Sequence, residues 1–155
     1  MILGGTYTFS GPRTKVWEIL LDPAVLAKAL PGTKSLTQVA EDRYEGVMKV
    51  SVGPMSAAEF VVSVELRDKI PPERFVMHID GKGAVGFTKG TATIDLAEIR
   101  EINDPSGPVT EMTYTSDVQI GGKIAAVGQR LLESVGRMMT RQALEALNKE
   151  LQARM

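Results

Sequence analysis

Two hydrophobic periods divide the chain. From Thr33 to Ile120 apolar and polar residues alternate, so one face of each segment is oily and the other wet. Tyr44, Gly46, Met48, Val50 and Val52 form the first such face, and Phe60, Val62, Val64 and Leu66 the second. Phe75, Met77 and Ile79 follow, then Ala92, Ile94 and Leu96, then Met112, Tyr114, Ser116, Val118 and Ile120. Gly53-Pro54, Pro71-Pro72 and the Asn103–Pro108 run punctuate them as turns. Short connections between strands predict an antiparallel meander. From Lys123 to Met155 there is no proline, and apolar residues recur at helical spacing: Ile124, Val127, Leu131, Val135, Met138, Met139, Ala143, Ala146 and Leu147. A helix of about 31 residues would be roughly 46 Å long.

Before the meander, Leu3–Phe9 reads as a strand. Ser10 as N-cap and Pro12 in the first turn predict a short helix carrying Val16, Trp17, Ile19 and Leu20. Asp22-Pro23 starts another, with Val25, Leu26, Ala29 and Leu30 on its apolar side, and Pro31-Gly32 ends it. The order is strand, two short helices, about six further strands and one long helix. Only a curved sheet can cover so long an apolar stripe, so the chain is expected to be α+β, a sheet of about seven strands gripping the helix, in a single domain over residues 1–155.

Composition narrows the functions. Eighteen Lys plus Arg against nineteen Asp plus Glu give a net charge of −1, which does not fit a general nucleic-acid binder. No cysteine is present, so disulfide, thiolate and Cys-ligated metal chemistry are excluded. Met1–Thr6 lacks the basic-then-apolar form of a signal peptide, and no stretch reaches the ~20 apolar residues of a membrane span; a cytoplasmic protein is expected.

Catalytic signatures are weak. Gly81–Gly86 matches GxGxxG, but a strand-like segment rich in β-branched residues follows it where a dinucleotide site needs a helix; it reads as a glycine-rich turn flanking a cavity mouth. His78, the lone histidine, alternates with the apolar face and so points outward, as do Glu45, Glu59, Glu65, Asp80, Asp95 and Asp117. No catalytic residue, metal ligand or cofactor is assigned. Tyr44 reads as a core hydroxyl, whereas Tyr114 and Ser116 are candidates to orient a ligand headgroup.

The predicted inward set is Trp17 with Met48, Val50, Phe60 and Val62 from the first strands of the meander, Phe75, Met77 and Phe87 from the next, and Leu131, Val135 and Met138 from the helix. Leu26 and Leu30 would border the mouth. Flexible methionines suit variable apolar ligands. Gly128 and Gly136, both placed within the long helix, would permit close approach or open space. Lys123, Arg130, Arg137 and Arg141 fall within about 40° of one another on a helix and would form a face for anionic lipid or an acidic partner. The segment 123–155 carries six basic and three acidic residues, net +3 against −4 for the rest.

A resemblance adds to this. Tyr7-Thr8-Phe9 before Pro12-Arg13 and Val16-Trp17, Asp22-Pro23 through Leu30-Pro31-Gly32, Tyr44-Glu45-Gly46 and Val52-Gly53-Pro54 carry it in the first half. Gly81-Lys82-Gly83 through Gly86-Phe87, Lys89-Gly90-Thr91-Ala92, and Gly121-Gly122-Lys123-Ile124 through Gly128-Gln129-Arg130-Leu131 carry it in the second. Together they resemble the carbon monoxide dehydrogenase CoxG-like family of the helix-grip, START-like (SRPBCC) superfamily. The resemblance implies an accessory protein, not an enzyme, that binds a quinone or lipid-like molecule and assists a molybdenum hydroxylase, in part at the inner face of the cytoplasmic membrane. It carries over no catalytic residues. A polyketide cyclase- or hydrolase-like enzyme and a ligand-free interaction subunit stay open beside it, as does oligomerisation.

Overall fold

A computed structural model describes residues Met1–Met155. Strand β1 (Ile2–Phe9) leads through α1 (Arg13–Leu21) and α2 (Pro23–Ala29) into β2 (Thr33–Ala40), β3 (Arg43–Val52), β4 (Met55–Ile70), β5 (Arg74–Gly83), β6 (Gly86–Arg100) and β7 (Val109–Gly121). A 3₁₀ turn (Lys123–Val127) then precedes α3 (Gln129–Ala153). The seven strands form one antiparallel sheet in the order β1-β7-β6-β5-β4-β3-β2. β1 thus closes beside the last strand, and β2 is the opposite edge. This is the helix-grip α+β fold.

Turn chemistry fixes these elements. Asp22 caps α2, its Oδ1 accepting from the Ala24 N–H at 2.9 Å, with Pro23 at the first helical position. The expected Ser10 cap is not made. Pro12 occupies the N-cap of α1 without a side-chain hydrogen bond. The Ser10 backbone is held instead by α3: its N–H donates to Asn148 Oδ1 at 3.2 Å, and its carbonyl accepts from Gln152 Nε2 at 2.6 Å.

The expected 31-residue rod is shorter. Gly128 has φ +100°, a left-handed conformation that ends the 3₁₀ turn and starts α3. The true helix has 25 residues, about 37 Å. Its best-buried side chains are Ala143, Leu144, Leu147 and Leu151. The stripe expected from helical spacing omits Leu144 and Leu151 and includes Met138, which is 41% exposed.

The core has two centres. The larger joins Phe9, α1, α2, Tyr44, Leu66, Phe75, Ile94, Leu96 and Met112 to Leu144, Leu147 and Leu151. The smaller, at the other end of the sheet, joins Val52, Ala58, Phe60 and Val62 to Ile124 of the 3₁₀ turn. Burying each branched or aromatic side chain is worth ~2 kcal/mol. The two centres therefore pin opposite ends of the helical segment to the sheet.

Candidate functional site

The backbone of α3 makes its main contacts with α1, α2, the 3₁₀ turn and, within the sheet, β1 and β3. Those strands lie at or next to the sheet margins. The C-terminal half of α3 packs Leu144, Leu147 and Leu151 into the core that also holds Phe75 of β5 and Ile94 and Leu96 of β6, whereas the side chains near the middle of these strands are less completely covered. Register decides which side chains face the intervening space. Met77 pairs with Ala92 and that with Ser116; Ile79 pairs with Gly90 and that with Val118. Val64 sits beside Ile79 and Tyr44. These rows share the inner face with the two core centres.

Met48, Val50, Val64, Met77, Ile79, Tyr114 and Val118 on that face stay half-buried, as do Leu131 and Val135 of α3. Side chains under a tightly docked helix would be sealed from water. Here all but Val118 pack against the two core centres, and yet all stay partly open to water. The wall is apolar, flexible at Met48 and Met77, and bare at Gly90, where an added Cβ would meet only ordinary contacts at 3.5 Å.

Polar groups on this face are few. Tyr44 Oη donates to the Leu21 carbonyl at 2.8 Å, and Thr110 Oγ1 to the Gly11 carbonyl at 2.8 Å. Ser116 Oγ donates to the Leu3 carbonyl at 3.1 Å, so its proton is not free for a ligand. Tyr114 and Tyr7 make no hydrogen bond within the protein. Burial, and then the charge of Glu145, push the Tyr7 phenol above its ordinary value, so it stays neutral at physiological pH.

Most predicted residues fall around this space. Phe60, Val62 and Phe75 belong to the buried walls, and Trp17 stacks edge-on against Phe75 at 5.4 Å between ring centres. Leu26 is half-buried against the larger core, and Leu30 is half-buried at the C-cap of α2. Three residues are corrected. Phe87 lies on the outer face: it pairs with Lys82 and Gly121, its ring covers Gly121, and it is 42% exposed. Thr88, its neighbour, takes the inner position. Met138 points to solvent. Lys123 lies in the 3₁₀ turn, beyond the break at Gly128, and so does not continue the helical stripe of Arg130, Arg137 and Arg141. Those three arginines are exposed, and only Arg137 has an ion pair, with Glu133 at 3.5 Å. The site also contains Val64 and Ile79 of the alternating apolar faces, and Tyr7, Thr88 and Gly90, which the alternation alone does not single out; the parity of Phe9 on β1, Leu66 on β4, Phe75 on β5 and Ala92 on β6 places each of them on the same face.

His78 is on the outer face, with Thr91 Oγ1 3.4 Å from Nδ1. Glu65 beside it is held below the ordinary carboxylate range by hydrogen bonds from Arg67 and Arg43. Two surface depressions, of about 570 and 600 Å³, lie elsewhere: one among Arg13, Glu73, Arg74 and Asp95, the other over the β3–β4 and β5–β6 hairpin tips. Neither reaches the middle of the concave face. No helix is long and apolar enough to cross a membrane.

Against known proteins, the chain matches the carbon monoxide dehydrogenase CoxG family over residues 5–152. It belongs to the CoxG family. A conserved protein from Geobacillus kaustophilus is 29% identical to this CoxG-family chain, with a TM-score of 0.90, covering 99% of it and 96% of its own chain. A START superfamily protein from Mycobacterium smegmatis shares the fold at 11% identity and TM-score 0.71, with 99% of each chain covered. The Zhui aromatase/cyclase from Streptomyces sp. R1128 shares it at 17% identity and TM-score 0.70, covering 99% and 94%. No curated protein matches the chain.

Proposed function

We propose that this CoxG-family protein is a carrier. It holds a quinone or another lipid-like molecule between the concave sheet and α3, and assists a carbon monoxide dehydrogenase-type molybdenum hydroxylase. One observation carries the reading: apolar side chains on the concave face of the central strands, Met77, Ile79 and Val118 among them, remain partly open to water although α3 packs on the same face. Apolar ligand area moved into such a space gains about 25 cal/mol per Å². Arg130, Arg137 and Arg141 would turn the outer face of α3 toward anionic lipid or an acidic enzyme surface, each basic residue adding about 1 kcal/mol near a charged membrane. Family membership supports the accessory role.

The cyclase-like alternative shares the fold. It needs an acid or base inside the cavity, and His78, Glu45, Glu59, Glu65, Asp80, Asp95 and Asp117 face outward, leaving only hydroxyl groups among the inward polar side chains of the strands. Binding is therefore favoured over catalysis. An interaction subunit with a filled core would show no uptake.

The test uses the single tryptophan. Protein purified without detergent is extracted for bound lipid or quinone, then titrated with menaquinone and ubiquinone analogues while Trp17 emission is followed. Saturable quenching, or co-purifying quinone or lipid, is the expected result. Absence of both extractable ligand and quenching refutes the carrier.

A further inference from the structure

Gly5 and Tyr114 are directly paired across β1 and β7. The Tyr114 ring tip lies over Gly5: a Cβ built there would stand 3.2 Å from Oη, 3.4 Å from Cζ and 3.6 Å from Cε1. That spacing is tighter than ordinary side-chain contact. A side chain at position 5 would have to shift the ring tip by a few tenths of an ångström.

The phenol at the end of that ring is also unengaged. Tyr44, Thr110 and Ser116 on the same face, and Thr140 on α3, donate to the carbonyls of Leu21, Gly11, Leu3 and Gly136. Tyr114 Oη donates to nothing. It is also absent from the buried side-chain atoms without partners, which are Arg13 Nε, Thr33 Oγ1 and Asp42 Oδ1. The oxygen therefore opens onto water-accessible space. The ring packs against the apolar side chains of the larger core while its tip lies over exposed Gly5 at the sheet margin, so the phenol can pair with an oxygen on a ligand whose apolar body lies on that core.

We infer that Gly5 and Tyr114 form the specificity element of the cavity, Gly5 supplying bare backbone beneath the ring tip and the phenol donating a hydrogen bond to a carbonyl or hydroxyl oxygen on an otherwise apolar ligand. This rests on the carrier reading and deepens it. The ligand's oxygen-bearing end sits at the β1–β7 margin, and its apolar body runs toward Met77 and Ile79. Ser116 is not the anchor, because its proton belongs to Leu3.

Two probes of matched shape test it: 2-methyl-1,4-naphthoquinone, which carries two carbonyls, and 2-methylnaphthalene, which carries none. Equilibrium dialysis gives both affinities for the wild type, Tyr114→Phe and Gly5→Ala. The wild type should prefer the quinone about tenfold after correction for water solubility, the size of one good hydrogen bond. Tyr114→Phe should erase that preference, and Gly5→Ala should reduce it by displacing the ring tip. The carbonyl stretch of the quinone bound to the wild type should also fall to lower wavenumber, a readout that needs no variant to fold. An unchanged preference in Tyr114→Phe, or an unshifted carbonyl band, overturns this assignment and leaves the carrier standing. If neither probe binds the wild type, the carrier itself falls, and this assignment with it.

Discussion

Tyr44 and Tyr114 occupy the same face of one sheet with opposite consequences. Tyr44 is 4% exposed and closed onto the Leu21 carbonyl. Burial pushes its phenol upward, Lys69 opposes the shift, and Asp42 and Asp22 add to it. A phenol with a raised folded pKa contributes stability that is complete below the unfolded value, about 10. That contribution is lost as pH rises through the folded value, because the folded state then holds the proton more tightly than the unfolded one. Tyr44→Phe should cost about 1 kcal/mol at pH 8 through the orphaned carbonyl. The gap to wild type should shrink above pH ~10, where the wild type loses this contribution and the variant has none. Urea denaturation at pH 8 and pH 10.5 reads it; a gap that stays constant with pH refutes the assignment. The role of Tyr44 as a core hydroxyl is legible from its place in an apolar alternation. Phe87 misleads because its size suggests burial while its parity forbids it. Ala92, Ile94 and Leu96 take even positions on β6, so position 87 has to face out.

At the scale of elements, alternation and turn residues locate the strands, since a period of two and proline or glycine punctuation are local properties of the chain. The long helix is harder. Helical spacing continues smoothly from Ile124 to Leu131, and nothing in that pattern marks a break, because the residue that makes it is a glycine acting through backbone conformation. Gly128 and Gly136 look alike in sequence and are opposites in structure. Gly128 has φ +100° with nothing within 4 Å of an added Cβ, so alanine there fits in volume and strains the backbone. Gly136 lies within α3, where alanine gains about 1 kcal/mol of helix propensity. Its Cβ would press on Leu3 Cδ1 at 2.8 Å, the movable end of a side chain. Gly128→Ala should therefore lower stability by about 1–2 kcal/mol, while Gly136→Ala stays within about 1 kcal/mol of wild type or exceeds it. Urea midpoints compare them, and equal losses would mean that the break at Gly128 is not a required feature of the fold.

For the molecule as a whole, the order of elements and the grip of sheet on helix follow from connection lengths and from the need to cover one long stripe. Whether the grip is complete depends on how far individual side chains reach across, and no periodicity encodes that. The answer turns on small residues and unfilled distances, and Gly90 tests it directly. It lies mid-sheet on the inner face, paired with Ile79 and Val118, and an added Cβ would meet Asp117 O and Val118 Cγ2 at 3.5 Å, without a clash. Gly90→Leu projects an isobutyl group into the space beneath α3. If that space is a real compartment, leucine fills it, relieves the cost of glycine in a strand, and leaves the unfolding midpoint equal or higher. Quenching of Trp17 by quinone analogues should then be lost, because the ligand and the new side chain compete for one volume. If the interior is already packed, the same substitution overfills it and costs about 1–3 kcal/mol. Stability and uptake measured on this one variant thus separate an occupied carrier from a solid core: retained stability with lost binding supports the compartment, and a destabilised protein removes it.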